Sequence, residues 1–192
     1  MTKVKFYPTI WQTIPYSFDV IDQWDAEGKR IKDLVLKNSI AAKQGVSEMT
    51  LNITKLSVID KAGKEHFIED FPSLAMLNIK GLHTGHFVRS KSALELNPGK
   101  YTSFRFYLEK AGNSFVYSDR RSEPVSQFDH LDFEIEDGLE IYGDEAREVI
   151  LRFDFEPYEL PEFLKKTKQL FKSFRWFVIR LVESMEHKRI KI

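Results

Sequence analysis

The chain has 192 residues, 42% of them hydrophobic and 14% aromatic, and its 29 basic and 29 acidic side chains balance to zero. That is enough apolar area for a packed core, which excludes a disordered chain, and the absence of cysteine excludes disulfides, thiolate-held zinc, iron–sulfur clusters and thiol catalysis. No run approaches the ~18 consecutive apolar residues of a membrane-spanning helix, and "MTKVKFYPTIW" lacks the apolar stretch and cleavage site of a secretory leader, so a cytoplasmic location is expected.

"KVKFYPTI" alternates with period 2 around a proline, as an edge strand does. "YSFDVIDQW" and "IKDLVLK" flank a turn at Gly28 and read as a hairpin, while "SIAAKQG" fits a short helical turn ending at Gly45 or a loop. "SEMTLNITKLSVID" is a long strand whose inward set changes phase between Ile53 and Leu56, which places a bulge near Thr54. "KAG" turns the chain into "KEHFIED", and 71–97 is open between strand, helix and binding loop. In "KYTSFRFYL", Thr102, Phe104, Phe106 and Leu108 face inward against Ser103, Arg105 and Tyr107; Ala111-Gly112-Asn113 then turns the chain into "SFVYSD". "HLDFEIED" and "EVILRFDFE" close the series, the latter with Val149, Leu151, Phe153 and Phe155 against Ile150, Arg152 and Asp154.

After Pro157 and Pro161 the period changes from 2 to 3.6: Phe171, Phe174, Val178 and Leu181 fall on one stripe, flanked by Lys165, Lys168, Lys172 and Arg175. The stripe suits first the covering of an open face or end of the chain's own sandwich, and next a partner's groove; Trp176 and Ile179 lie off it, where a second contact surface would use them. The expected fold is therefore mainly β: an antiparallel β-sandwich over 1–158, followed over 159–192 by one long C-terminal amphipathic α-helix.

Charge is unevenly spread. Residues 160–192 carry nine basic against three acidic side chains, whereas 129–159 carry twelve acidic against two basic. Asp132, Glu134 and Glu136 share one face of a strand, and like charges so aligned call for a cation opposite. Arg152 and the basic residues of the helix are the candidates.

Three stretches, "LNITKLSVID", "LNPGKYTSFRFYL" and "LDFEIEDGLEI…EVILRFDF", resemble a bacterial β-sandwich domain of unknown function often found on lipoproteins. The resemblance covers roughly residues 47–156 and implies a transthyretin-like sandwich without known catalytic residues.

His83 and His86 in "HTGH", with Asp129, His130 and Asp132 as distant partners, fall short of the convergent ligand set that a metal needs, and read as solvated loop histidines. Carboxylates two apart on one strand face are about 6.6 Å apart, too far to wrap a calcium ion alone. No phosphate loop, nucleophile elbow or HExxH motif is present. No metal, cofactor or small-molecule substrate is expected, and the chain does not read as an enzyme. Nucleic acid is not expected either, because the aromatics alternate as core residues rather than interleaving with Lys and Arg.

The sequence thus points to a structural or binding protein acting through protein–protein assembly, with a protein partner or a second copy docked on Phe171, Phe174, Arg175, Trp176, Val178, Ile179 and Leu181. A peripheral membrane surface touched by the same helix is the alternative, and a metal- or carboxylate-dependent hydrolase ranks third.

Overall fold

The computed structural model describes residues 9–11, 31–68, 75–89, 96–143 and 148–160. The described strands lie in the first of two compact units, Met1–Tyr158 and Glu159–Ile192. In chain order they are β1 (Thr9–Trp11), β2 (Ile31–Lys37), helix α1 (Ser39–Gln44), β3 (Val46–Asp60), β4 (Glu65–Phe67), β5 (Ala75–Lys80), a 3-10 turn (Leu82–Thr84), β6 (Phe87–Arg89), β7 (Gly99–Leu108), β8 (Asn113–Tyr117), β9 (Ser122–Val125), β10 (His130–Ile141) and β11 (Glu148–Phe153).

β3 is the spine. On one side its first part pairs with β8 and its second with β7; on the other side β5 and then β4 do the same, all antiparallel. β7 and β8 are therefore two pieces of one strand line, as are β4 and β5, and β9 and β10 repeat the arrangement against β8 and β7. Beyond β10 come β2, then β11 parallel to β2, then β6 and β1. Gly81, just past β5, bridges Phe153 of β11, so the sheet curls back on itself as a half-barrel.

This corrects the expected β-sandwich: every described strand belongs to one hydrogen-bonded sheet. A strand with one buried face alternates with period 2 whether a second sheet or its own curled neighbours cover it. Sequence alternation cannot separate the two. The expected long C-terminal helix is not found: 161–192 lie outside the described residues, and the α-helix that is described, α1, has 6 residues.

The core lies on the concave side. Phe106 and Phe133 pack at 4.7 Å between ring centroids, Phe133 and Phe153 at 5.3 Å, and all three are buried. The phase change in β3 is a register shift between Ile53 and Lys55, close to where the sequence places it. Two assignments of facing change, one in each direction. Thr102 is exposed and Tyr101 takes the buried place, because the pairing of β7 shifts between Ile59 and Asp60. Ile150, read as outward, is buried together with Val149 and Leu151, so both faces of β11 are covered there.

The expected reversal at 111–113 is instead an interruption within one strand line. Asn113 accepts the Asn52 amide at 2.8 Å and donates to the Glu109 carbonyl at 2.6 Å, while Asn52 donates to the Ala111 carbonyl at 2.9 Å. These bonds hold the excursion, and Gly112 supplies its left-handed φ of 81°.

α1 forms because Asn38 caps it. The side chain accepts the Ala41 amide at 2.8 Å, and Gly45 ends the helix at φ 70°. The Asn38 amide also donates to the Asp132 carbonyl at 2.8 Å, tying α1 to β10.

Candidate binding face

The convex face of the sheet runs across β4, β3, β7, β10 and β2. Opposite residues in an antiparallel pair share a face, so the register of Phe67 with Ser57, Ser57 with Arg105, and Arg105 with Asp132 sets these side chains in a row. They are joined. Asp132 accepts two bonds from Arg105, from Nε at 2.6 Å and from Nη2 at 2.8 Å, the bidentate geometry that fixes a guanidinium plane. On its other side Arg105 lies 3.6 Å from Glu65, which accepts hydroxyl bonds from Ser57 at 2.6 Å and Tyr107 at 2.7 Å.

The charge states follow from these contacts. Bonds from Arg105 hold the Asp132 carboxyl below its usual range. Burial pushes Glu65 upward, but the Ser57 and Tyr107 hydroxyls and the Arg105 charge outweigh it, so it too stays below its usual value. Asp132 in turn raises the Arg105 guanidinium. All three groups are ionised at neutral pH.

Aromatic rings cross this polar row. Phe67 stacks on Tyr107 at 5.8 Å with an interplanar angle of 27°, and His130 lies 5.8 Å from Tyr107 on the far side. Phe67 is 52% exposed. Met76, 69% exposed, projects from the same convex face, since it sits opposite Asn52 with Leu77 and Ile79 turned inward. β4 and β5 each pair with β3 alone among the described strands, so both residues stand at the sheet's margin.

The acidic lane of β10 continues this face. Lys37 donates to Glu136 at 2.7 Å, and Lys100 pairs with Glu140 at 2.8 Å. Glu134 makes no ion pair within 4.0 Å among the described residues, and with Asp132, Asp154 and Lys37 it lines an open depression of about 450 Å³ beside Asn38. Arg152, expected opposite the lane, pairs instead with Asp33 at 2.7 Å, one strand farther on. Arg105 and Lys37 take the place given to it.

The seven residues read from sequence as a docking helix, Phe171, Phe174, Arg175, Trp176, Val178, Ile179 and Leu181, and the basic residues from Lys165 to Arg175 lie outside the described residues. His83 and His86 sit at the 3-10 turn after β5, whereas His130 and Asp132 are on β10. Among the described residues no group of three or more His, Asp or Glu is placed to hold a metal. Nor is any described helix long and apolar enough to cross a membrane.

Phe67, Met76, Tyr107, Glu65 and Arg105 carry this face, and none was singled out from sequence as a site residue. Arg105 and Tyr107 were legible as outward-facing. Their partners needed the register of three strands.

Comparison of the chain with protein-family models, with curated proteins and with solved structures finds no match. Nothing in these comparisons bears on the resemblance to a lipoprotein-type domain.

Proposed function

We propose that the chain is a non-catalytic assembly protein that docks a second copy of itself through the convex face and margin formed by β4, β5, β3 and β7. The observation that carries this reading is the pair Phe67 and Met76, two large apolar side chains exposed on one face of one strand line. Burying a side chain of that size contributes about 1.5–3 kcal/mol. Beside them stand Tyr107 and Arg105, residue types enriched where interfaces concentrate their energy. Their bonds to Asp132 and Glu65 already fix Arg105 and Tyr107, so little side-chain entropy remains to be lost on docking.

A second copy fits because the patch carries both signs, Arg105 and the exposed Lys55, which stands opposite Tyr107, against Glu65 and Asp132. A two-fold interface sets a patch against itself, and mixed charge around an apolar centre is self-complementary. Size-exclusion chromatography with light scattering tests this over micromolar to near-millimolar protein. The expected result is a dimer that becomes monomeric in both Phe67→Asp and Met76→Asp, with circular dichroism unchanged. A wild-type chain that stays monomeric at every concentration refutes the reading.

A further inference from the structure

After β11 the chain does not simply leave the sheet. The Asp154 amide donates to the Leu36 carbonyl of β2 at 2.9 Å, and the Glu156 amide to the Val46 carbonyl of β3 at 3.1 Å. Pairing between β5 and β3 ends at Lys80 opposite Glu48, so Val46 lies just past the reach of β5. Glu156 takes that acceptor. Between these two bonds Phe155 is buried, with its Cβ so near Gly81 that a side chain there would come within 3.1 Å.

Tyr158 then anchors the segment, and two elements meet its ring. Burial and the nearby Glu48 carboxylate of β3 push its phenol up, and Lys80 of β5 pairs with that carboxylate at 3.3 Å. From the 3-10 turn, the His83 ring meets the Tyr158 ring edge-on at 5.9 Å and 87°. From the turn between β8 and β9, the Arg120 guanidinium lies over the ring at 5.5 Å. Arg120 has φ 71°, the one non-glycine with positive φ among the described residues. A backbone conformation that an arginine adopts at a cost is kept where its side chain covers Tyr158.

We propose that Asp154–Tyr158 is a latched strap, which guards the end of β3 that β5 leaves uncovered and which opens as a unit while the sheet stays folded. Its attachment is unlike that of the core strands: one backbone bond each to β2 and β3, one back to Phe153 at its own base, one buried ring, and a cluster of side chains at the end. Segments held by few bonds open locally at lower free energy than the elements they cover. Open, the strap frees the Val46 carbonyl and the slot beside Gly81, an edge to which another extended segment could add. Closed, it denies that edge to other chains.

Native-state hydrogen exchange on the full chain tests the strap, with the Asp154 and Glu156 amides compared against those of Ile135 and Leu51 in the sheet. In the wild type the two strap amides should exchange at least ~100-fold faster than the sheet amides, the mark of sub-global opening. Tyr158→Leu keeps an apolar side chain but removes the ring contacts with His83 and Arg120, and should speed the strap amides by about tenfold while the sheet amides stay unchanged. Arg120→Gly separates latch from fold. Glycine relieves the positive φ, so resistance to urea should hold or rise, while the strap amides exchange several-fold faster. Strap amides that exchange at the sheet rate in the wild type overturn the proposal. So does a Tyr158→Leu variant in which strap and sheet amides change together.

Discussion

Replacing Arg105 by methionine keeps most of the stem's packing and removes the charge on which the convex face is built. Three contacts go: two bonds to Asp132 and the 3.6 Å approach to Glu65. Charge-assisted hydrogen bonds contribute about 1.5–3 kcal/mol each in protected sites. The Asp132 side chain is 45% exposed and water recovers part of its loss, which brings the pair toward the ~1 kcal/mol of surface ion pairs. Glu65 is better sheltered and keeps its Ser57 and Tyr107 bonds. The expected cost at pH 7 is about 1–2 kcal/mol, or roughly 3–6 °C in Tm for a unit of this size. The pH dependence carries the sharper test. Asp132 and Glu65 both have folded values below their ordinary ones, so their contribution is present above the unfolded carboxylate range, about pH 4, and is lost as pH falls through the folded values. Without Arg105 the depression shrinks and less remains to be lost. Urea titrations of both proteins at pH 7, 5 and 3.5 should show the gap between them narrowing toward acid. A gap below about 0.3 kcal/mol at pH 7, or one that does not change with pH, refutes the reasoning.

Phe133, buried against Phe106 and Phe153, should cost about 3–5 kcal/mol when cut to alanine, measured as the shift in urea midpoint at constant m-value. Gly112→Ala places a methyl group against the Asn52 side chain at φ 81°; strain of about 1–2 kcal/mol and loss of the Asn52 bond to Ala111 should lower Tm and speed exchange at the Asn113 amide. Asn38→Ala removes both the cap of α1 and the bond to the Asp132 carbonyl, an expected loss of about 1–2 kcal/mol; Asn38→Asp keeps the acceptor and should recover the cap but not the second bond, leaving about half of the loss.

How the chain pairs was only partly legible in the sequence. The alternation in "HLDFEIED" identifies Leu131, Phe133 and Ile135 as core, and the structure buries all three. The phase break in "LNITKL" marks a bulge because a one-residue slip exchanges faces, and the register shift between Ile53 and Lys55 follows. What alternation lacks is any record of the partner strand. Ala111-Gly112-Asn113 has the composition of a turn, yet Asn113 and Asn52 bond across it, and β8 continues the line of β7. Nothing local distinguishes an interruption from a reversal. The same gap produced the sandwich: the covering layer is the curl of one sheet, fixed by contacts as remote as Gly81 with Phe153. At the candidate face, Asp132 was found as one of an acidic row and Arg105 as an outward residue, while their bond rests on a register set 27 positions apart.

Phe67 decides whether the convex face is a surface or an interface. Three of the phenylalanines, Phe106, Phe133 and Phe153, fill the concave core, where each ring offsets the cost of ordering its strand. Phe67 does nothing comparable: half exposed, it touches Tyr107 alone among the described rings. Its packing role is worth about 0.5–1.5 kcal/mol, the contribution of an aromatic pair, and part of that returns in Phe67→Thr because threonine suits a strand. A ring kept only for packing predicts a small loss of stability and no change in mass. A ring kept for docking predicts the same small loss together with dissociation, since each copy would contribute one ring to the two-fold contact. Tm measured at low concentration gives the first quantity, and light scattering at high concentration gives the second. A Phe67→Thr variant with near wild-type Tm that is still dimeric would place the interface elsewhere.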